Sequence, residues 1–400
     1  MKNIRKITED LYYVGGNDRK IRLFENILPI HNGVSYNSYL FLDEKTCLMD
    51  TADQDISRQF LENIVAALNG RELDYLVIHH MEPDHCYNIG EIMLRYPNVK
   101  LVGNIQTFKY LHNFFPNLNT EGKEIVVKDK DTLSLGKHIL RFYLTPLVHW
   151  PEVMMSQDET DGLLFTADAF GTFGALNGHL FDDEINLDKD WLDEARLYYT
   201  NIVGKYGLQV QNAFKKLPIA STKMILPLHG PVFRRNLGYA IEKYQTWSTY
   251  TPEEKGVLIV YGTMYGDSEN TAEILACKLA EKGVKDIKVY DVSTSDKDQL
   301  VSQAFRVSNI VLIAPTYNAA IFPGIEEFIQ DLERMNLQKR TFTLIQNGTW
   351  APLSSKLMKD KLSAFKGLSF TNTELTIHSA LNDNDETVLD QIALEIKESL

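Results

Sequence analysis

Four side chains able to coordinate a cation fall within six positions of this chain: His80, Glu82, Asp84 and His85, in Ile78-His79-His80-Met81-Glu82-Pro83-Asp84-His85. Two neutral imidazoles and two carboxylates crowded together make poor packing unless a cation compensates them. Three further candidates stand downstream: His149 in Leu147-Val148-His149-Trp150-Pro151-Glu152, Asp168 in Ala167-Asp168-Ala169-Phe170-Gly171, and His229 in Leu228-His229-Gly230-Pro231. A different chemistry is offered by Thr263-Met264-Tyr265-Gly266-Asp267-Ser268-Glu269-Asn270-Thr271, where hydroxyls, backbone N–H groups and a helix start form an anion site. That loop is neither G-x-G-x-x-G nor G-x-x-x-x-G-K-[ST], which disfavours a Rossmann dinucleotide fingerprint and a Walker loop.

The elements around these residues place them at strand ends. Leu73–Ile78 reads as a buried strand, and Pro83 is expected to end regular structure, leaving the four clustered ligands on a tight loop. Strand-like runs over 139–146, 162–166 and 223–227 lead to His149, Asp168 and His229, each followed within a few residues by Gly or Pro. Residues 36–42 and 47–50 read as a hairpin, 55–68 and about 87–96 as helices, and 99–103 followed by 107–115 as a strand and a helix. This is a layered α/β domain over residues 1–250. A polar stretch at 248–256 separates it from 256–400. There, strands at 257–261, 287–290, 310–314, 341–345 and about 369–378 alternate with helices, which predicts a doubly wound parallel sheet of flavodoxin type. Two more loops fall at strand ends in that sheet: Pro315-Thr316-Tyr317-Asn318 and Asn347-Gly348-Thr349-Trp350.

The remaining histidines read as structural or surface groups. His79 is expected to face away from His80, and His112, His138, His179 and His378 have no motif around them. His31 lies in a turn that could approach the metals, although this is not the favoured reading. Cys86 reads as a small buried filler.

Composition narrows the class. The chain has 400 residues, 44% apolar and 24% charged, with a net charge of −13 spread along its length. That balance argues against nucleic acid and anionic membranes as partners. No apolar run reaches the length of a membrane span, the first ten residues lack the apolar core of a signal peptide, and three scattered cysteines suit a reducing cytoplasm.

The H-x-E-x-D-H spacing resembles the H-x-H-x-D-H motif of the metallo-β-lactamase superfamily, with Glu82 in place of its second histidine. A carboxylate there makes the site harder and richer in oxygen, which suits iron better than zinc. With His-Trp-Pro, Asp-Ala-Phe-Gly and His-Gly-Pro around the downstream ligands, the chain resembles flavodiiron proteins over both domains. The resemblance implies a metallo-β-lactamase-like αβ/βα sandwich followed by a flavodoxin-like domain. It implies one iron on His80, Glu82 and His149, another on Asp84, His85 and His229, and Asp168 as bridge. Glu152 and Phe233 depart from the Asp and Trp more often found at those places. The 263–271 loop is similar to the FMN phosphate loop of flavodoxins, with Asp267 a departure whose side chain is expected to point outward. Tyr317 and Trp350 are expected at the flavin ring. Reduction of O2 to water, of NO to N2O, or both is the implied activity, with rubredoxin or a similar electron donor. A head-to-tail homodimer, or a dimer of dimers, is the implied assembly, and the short linker at 248–256 agrees with flavin and iron meeting across two chains. The alternative is a zinc hydrolase of the lactamase superfamily fused to a flavodoxin domain; Glu82 is the residue that separates the two.

Overall fold

The computed structural model describes residues 2–400. The chain divides into two units, one containing the residues up to Tyr199 together with Leu208–Tyr244, the other Thr200–Gly207 together with Gln245–Leu400. Thr200–Gly207 goes with the later residues for a local reason: the Tyr250 hydroxyl donates to the Gly204 carbonyl at 2.9 Å.

In the first unit, a seven-stranded sheet runs in the order Arg5–Lys6, Leu11–Tyr13, Tyr39–Leu42, Thr46–Met49, Tyr75–Val77, Lys100–Gly103, Glu124–Val126. Its first four strands pair antiparallel and its last four parallel. A five-stranded sheet follows: Thr132–Ser134, Ile139–Leu144, Met154–Asp158, Leu163–Phe165, Met224–Leu226. Val77, Val102, Phe142, Phe165 and Leu226, from both sheets, share one buried cluster, so the unit is a sandwich of two apolar sheet faces. Leu163–Phe165 and Met224–Leu226 pair in parallel, which brings their carboxyl ends, and hence Asp168 and His229, to the same edge.

Pro83 does the opposite of what its sequence position suggests. It opens a one-turn helix, Pro83–Cys86, with Glu82 in extended conformation before it. A proline in the first helical position gives up an N–H that has no intrahelical partner there anyway, and its fixed φ already suits the helix. Asp84 and His85 therefore sit on helix rather than on loop, while His80 and Glu82 precede it.

The second unit has a parallel sheet in the order Ile287–Asp291, Glu254–Tyr261, Val307–Tyr317, Thr341–Asn347, then Ser369–Phe370 and Leu375–Ile377 side by side on the last edge. Its two faces are covered by separate apolar clusters, as a sheet with helices on both sides requires. The fifth strand, expected as one run, is broken because the Asn372 and Thr373 N–H groups donate to the Glu395 carboxylate and leave the ladder. The first strand begins at Glu254, inside the polar stretch, with a register shift before Val257. Gly256 stands at that shift, where a Cβ would collide with Asp286 Oδ2.

Candidate metal centre and cofactor cavity

All seven expected metal ligands come together in the first unit, and all are buried. They form two groups. In one, His80 Nε2 lies 3.1 Å from Glu82 Oε2 and 3.2 Å from Asp168 Oδ2, and His149 Nε2 lies 3.1 Å from each of the same two oxygens. In the other, His85 Nε2 is 3.1 Å from His229 Nε2, 3.3 Å from Asp84 Oδ2 and 3.0 Å from Asp168 Oδ1. Ligand atoms about 2 Å from a tetrahedral metal stand about 3.3 Å apart, so these spacings are those of a coordination cage. Asp168 gives one oxygen to each group, the arrangement a bridging carboxylate adopts.

The residues fit a metal pair on a second ground. His85 and His229 turn ring nitrogens on each other, and both Asp84 oxygens are buried without a hydrogen-bond partner. Such groups are costly to bury unless a cation satisfies them. Neighbouring groups also aim the rings. His80 Nδ1 lies 2.7 Å from Glu152 Oε1, which also accepts from the Met81 N–H at 2.9 Å, and His229 Nδ1 lies 2.7 Å from the Ser35 carbonyl. Donation from Nδ1 fixes the tautomer and leaves the Nε2 lone pair free for a metal. Glu152 thus fills the supporting place despite its departure from the more usual Asp.

The electrostatics express the same crowding. Burial opposes charge on His80, yet Asp168 leads a set of carboxylates that hold it well above its ordinary value. Against burial, Asp168 and Glu82 bring His149 to about 9, and Asp84 and Asp168 bring His85 to about 9. Asp168 is held well below its usual range against its own burial, chiefly by His85 and His80.

Several neighbours had no signal in the sequence. The Phe24, Tyr36 and Tyr198 rings lie 5.9, 5.7 and 5.4 Å from the His229 ring, and the Tyr198 hydroxyl is buried without a hydrogen-bond partner. Glu25 hydrogen-bonds Glu82; burial first, then that bond and the Glu82 charge, push it up to about 8. His31, the residue of this region that the sequence brought forward, is exposed and lines a separate polar cavity. His79 stays out of the cage, with Nδ1 2.6 Å from Asp50 Oδ2 and Nε2 2.8 Å from Ser156 Oγ. His138 gathers with Asp158 and Asp161, but the Asp158 oxygens already accept from the Thr160 and Asp161 N–H groups.

In the second unit the three strand-end loops line one cavity of about 340 Å³. Thr263, Met264, Tyr265, Asp267 and Ser268 contribute from the first loop, Pro315, Thr316 and Asn318 from the second, and Asn347, Gly348, Thr349 and Trp350 from the third. Gly266 and Tyr317 are not in the lining. Gly266 instead caps the helix Asp267–Glu281 at φ 100°, its N–H donating to Thr263 Oγ1 at 3.0 Å. Asp267, expected to face away, is half-buried and belongs to the lining. Ala319, Ala351 and Ser379 were missed. Asn347 Nδ2 donates to the Ser379 carbonyl at 2.8 Å, so the end of the fifth strand joins the fourth; the strand order itself was the available signal. Tyr265 is 91% and Trp350 82% exposed, large apolar faces bordering a cavity that opens on a helix N-terminus. A planar ring system carrying a phosphate fits that combination.

Comparison with known proteins finds matches over both parts of the chain. Residues 34–230 match the family described as ODP family beta lactamase, and residues 259–387 match Flavodoxin. The chain is similar to a nitric oxide reductase of Moorella thermoacetica, 29% identical over 364 residues that cover 90% of each protein. It is also similar to an anaerobic nitric oxide reductase flavorubredoxin of Escherichia coli, 29% identical over 355 residues, 86% of this chain and 72% of that one. Among solved structures, rubredoxin oxygen:oxidoreductase of Desulfovibrio gigas superposes with a TM-score of 0.92 at 27% identity, over 99% of this chain and 98% of that one.

Proposed function

We propose, on the premise that this chain is a flavodiiron protein, that it is an oxidoreductase reducing NO to N2O, O2 to water, or both. The observation that carries the reading is the division of the two Asp168 oxygens between two buried ligand groups, because one carboxylate serving two cages calls for a pair of metals. When bound, two irons would supply a binding place and electrons for a diatomic, and FMN would replenish those electrons.

The chain's own residues prepare that chemistry. His80, Glu82 and His149 would hold one iron, Asp84, His85 and His229 the other. Glu152 and the Ser35 carbonyl keep the His80 and His229 rings in the tautomer that coordinates. Phe24, Tyr36 and Tyr198 wall the His229 side with rings, which excludes bulk water and strengthens every charge interaction inside. Thr263 and Ser268 would receive the FMN phosphate at the helix start, and Trp350 would border its ring. We assign the metal chemistry to residues 1–250 and flavin binding to 256–400. The electron donor is a rubredoxin-type protein, the setting is the cytoplasm, and the working assembly is a head-to-tail dimer or a dimer of dimers. Among the described residues no helix is long and apolar enough to cross a membrane.

The test is anaerobic turnover of the fully reduced, iron-loaded protein with NO and O2 supplied separately. Stoichiometric N2O from NO, or water without released peroxide from O2, is the expected result. Protein that retains iron and FMN yet consumes neither gas sinks the proposal.

A further inference from the structure

The two imidazoles of one ligand group share a neighbour. The Trp150 ring stands edge-on to His80, with centroids 5.2 Å apart, and edge-on to His149 at 6.3 Å. It packs on Val153, Ala167 and Leu228, the last two each adjoining a ligand in the chain, so its place beside the cage is fixed. The same indole meets two residues of the helix Ile105–Phe114: Phe114 stacks on it at 6.3 Å, and Tyr110 approaches edge-on at 6.5 Å. Tyr110 and Phe114 are four residues apart and hence share a helix face. Asn104 fastens that helix. Its side-chain oxygen accepts from the Gln106 and Thr107 N–H groups, and its Nδ2 donates to the Glu152 carbonyl at 2.6 Å, two residues beyond Trp150.

The aromatic neighbours of the other ligand group lead nowhere. Tyr36 and Tyr198, beside His229, are at most 2% exposed, and the Tyr198 hydroxyl has no hydrogen-bond partner. A tyrosine gives up an electron readily only if its phenolic proton can leave as well, and an isolated buried hydroxyl has no acceptor for it. Tyr110 and Trp150 are only half-buried, and Phe114 is exposed, so this side of the cage is joined to solvent by rings in contact. Tryptophan and tyrosine are also the side chains most easily oxidised by one electron without a change of covalent skeleton.

We propose that Trp150 and Tyr110 form an outlet for oxidising equivalents from the metal centre. This rests on the diiron reading above. Dioxygen takes up four electrons on its way to water, and a ferrous pair holds two. When the flavin is oxidised and cannot supply the rest, the centre is left short of electrons. One electron then passes from Trp150 to the centre, and one from Tyr110 refills Trp150. The phenolic proton of Tyr110 goes to solvent, which leaves a neutral tyrosyl radical. An external thiol returns one hydrogen atom to it, two such thiols ending as one disulfide, and Tyr110 is restored. Coupling of NO to N2O takes two electrons in all, which the ferrous pair holds, so with NO the outlet stays idle.

Iron-loaded, FMN-containing protein given two electrons per chain, mixed with excess O2 and freeze-quenched, tests it by electron paramagnetic resonance. An organic radical is expected whose spectrum narrows when the protein carries ring-deuterated tyrosine. Tyr110→Phe, which removes only a hydroxyl, is expected to lose that signal and leave an indole radical that narrows with ring-deuterated tryptophan instead. Trp150→Phe is expected to lose both, and after repeated cycles its oxidised side chains, located by peptide mass spectrometry, should move from positions 110 and 150 to the ligand histidines. The same protein mixed with NO should give no radical. A parent that consumes O2 without an organic radical overturns the proposal, as does a radical unchanged in Tyr110→Phe and Trp150→Phe. The phenylalanine variant at 110 carries the test should the one at 150 fail to hold iron. A parent that takes up no iron defeats the diiron reading itself, which is seen before any mixing.

Discussion

The two sites of this chain are built on opposite plans. The metal cage is made of side chains: seven buried ligands, two of them aimed by further buried acceptors. The cofactor cavity is made of backbone turns and a helix start, bordered by aromatic rings left largely in solvent. A side-chain site depends on residue identity and fails when one member is removed. A backbone site depends on where strands end, and tolerates many changes of side chain.

The double variant His80→Ala with Asp168→Ala sharpens this contrast most. It removes an imidazole and the shared carboxylate, so iron and turnover should be lost entirely while FMN stays at full occupancy; iron analysis and flavin absorbance measure the two independently. Loss of flavin along with iron would break the separation of the sites. Next in size is Glu152→Ala. It leaves buried donors on His80 and Met81 without an acceptor, at a cost of about 1–3 kcal/mol, read as a lowered Tm together with weaker iron retention. Glu152→Gln keeps one acceptor and should recover much of the loss.

Trp350→Ala acts on the other plan. A stacking face is removed while the loop backbone remains, so FMN affinity should fall about tenfold, close to 1.4 kcal/mol, with iron content unchanged. Acid acts on the cage alone. Without metal, carboxylates hold His85 and His149 at about 9, so protons compete for the coordinating nitrogens and iron affinity falls steadily as pH drops below that value. Flavin affinity over pH 6–8 should stay nearly flat, as measured by fluorescence on release. Equal pH slopes at the two sites would contradict the distinction.

The same contrast explains what the sequence disclosed. The cage was legible because its ligands are uncommon residue types at tell-tale spacing, each closing a strand. The FMN loops were legible only through topology, by counting strands and looking at their carboxyl ends. Pro83 misled because the same missing N–H that stops a helix also suits its first position. The closeness of Glu25 to Glu82 was invisible because the two are remote in the chain and no motif links them. Ser379 was missed because the fifth strand is broken by Glu395, a side-chain competitor for backbone N–H groups that no periodicity reveals.

Asp168 carries one more consequence. Because a single carboxylate is common to both halves of the cage, the two loading events are not independent. The first ion to arrive would fix the orientation of Asp168 and also place a positive charge beside the second position, so the affinity of the second half of the cage would depend on whether the first is filled.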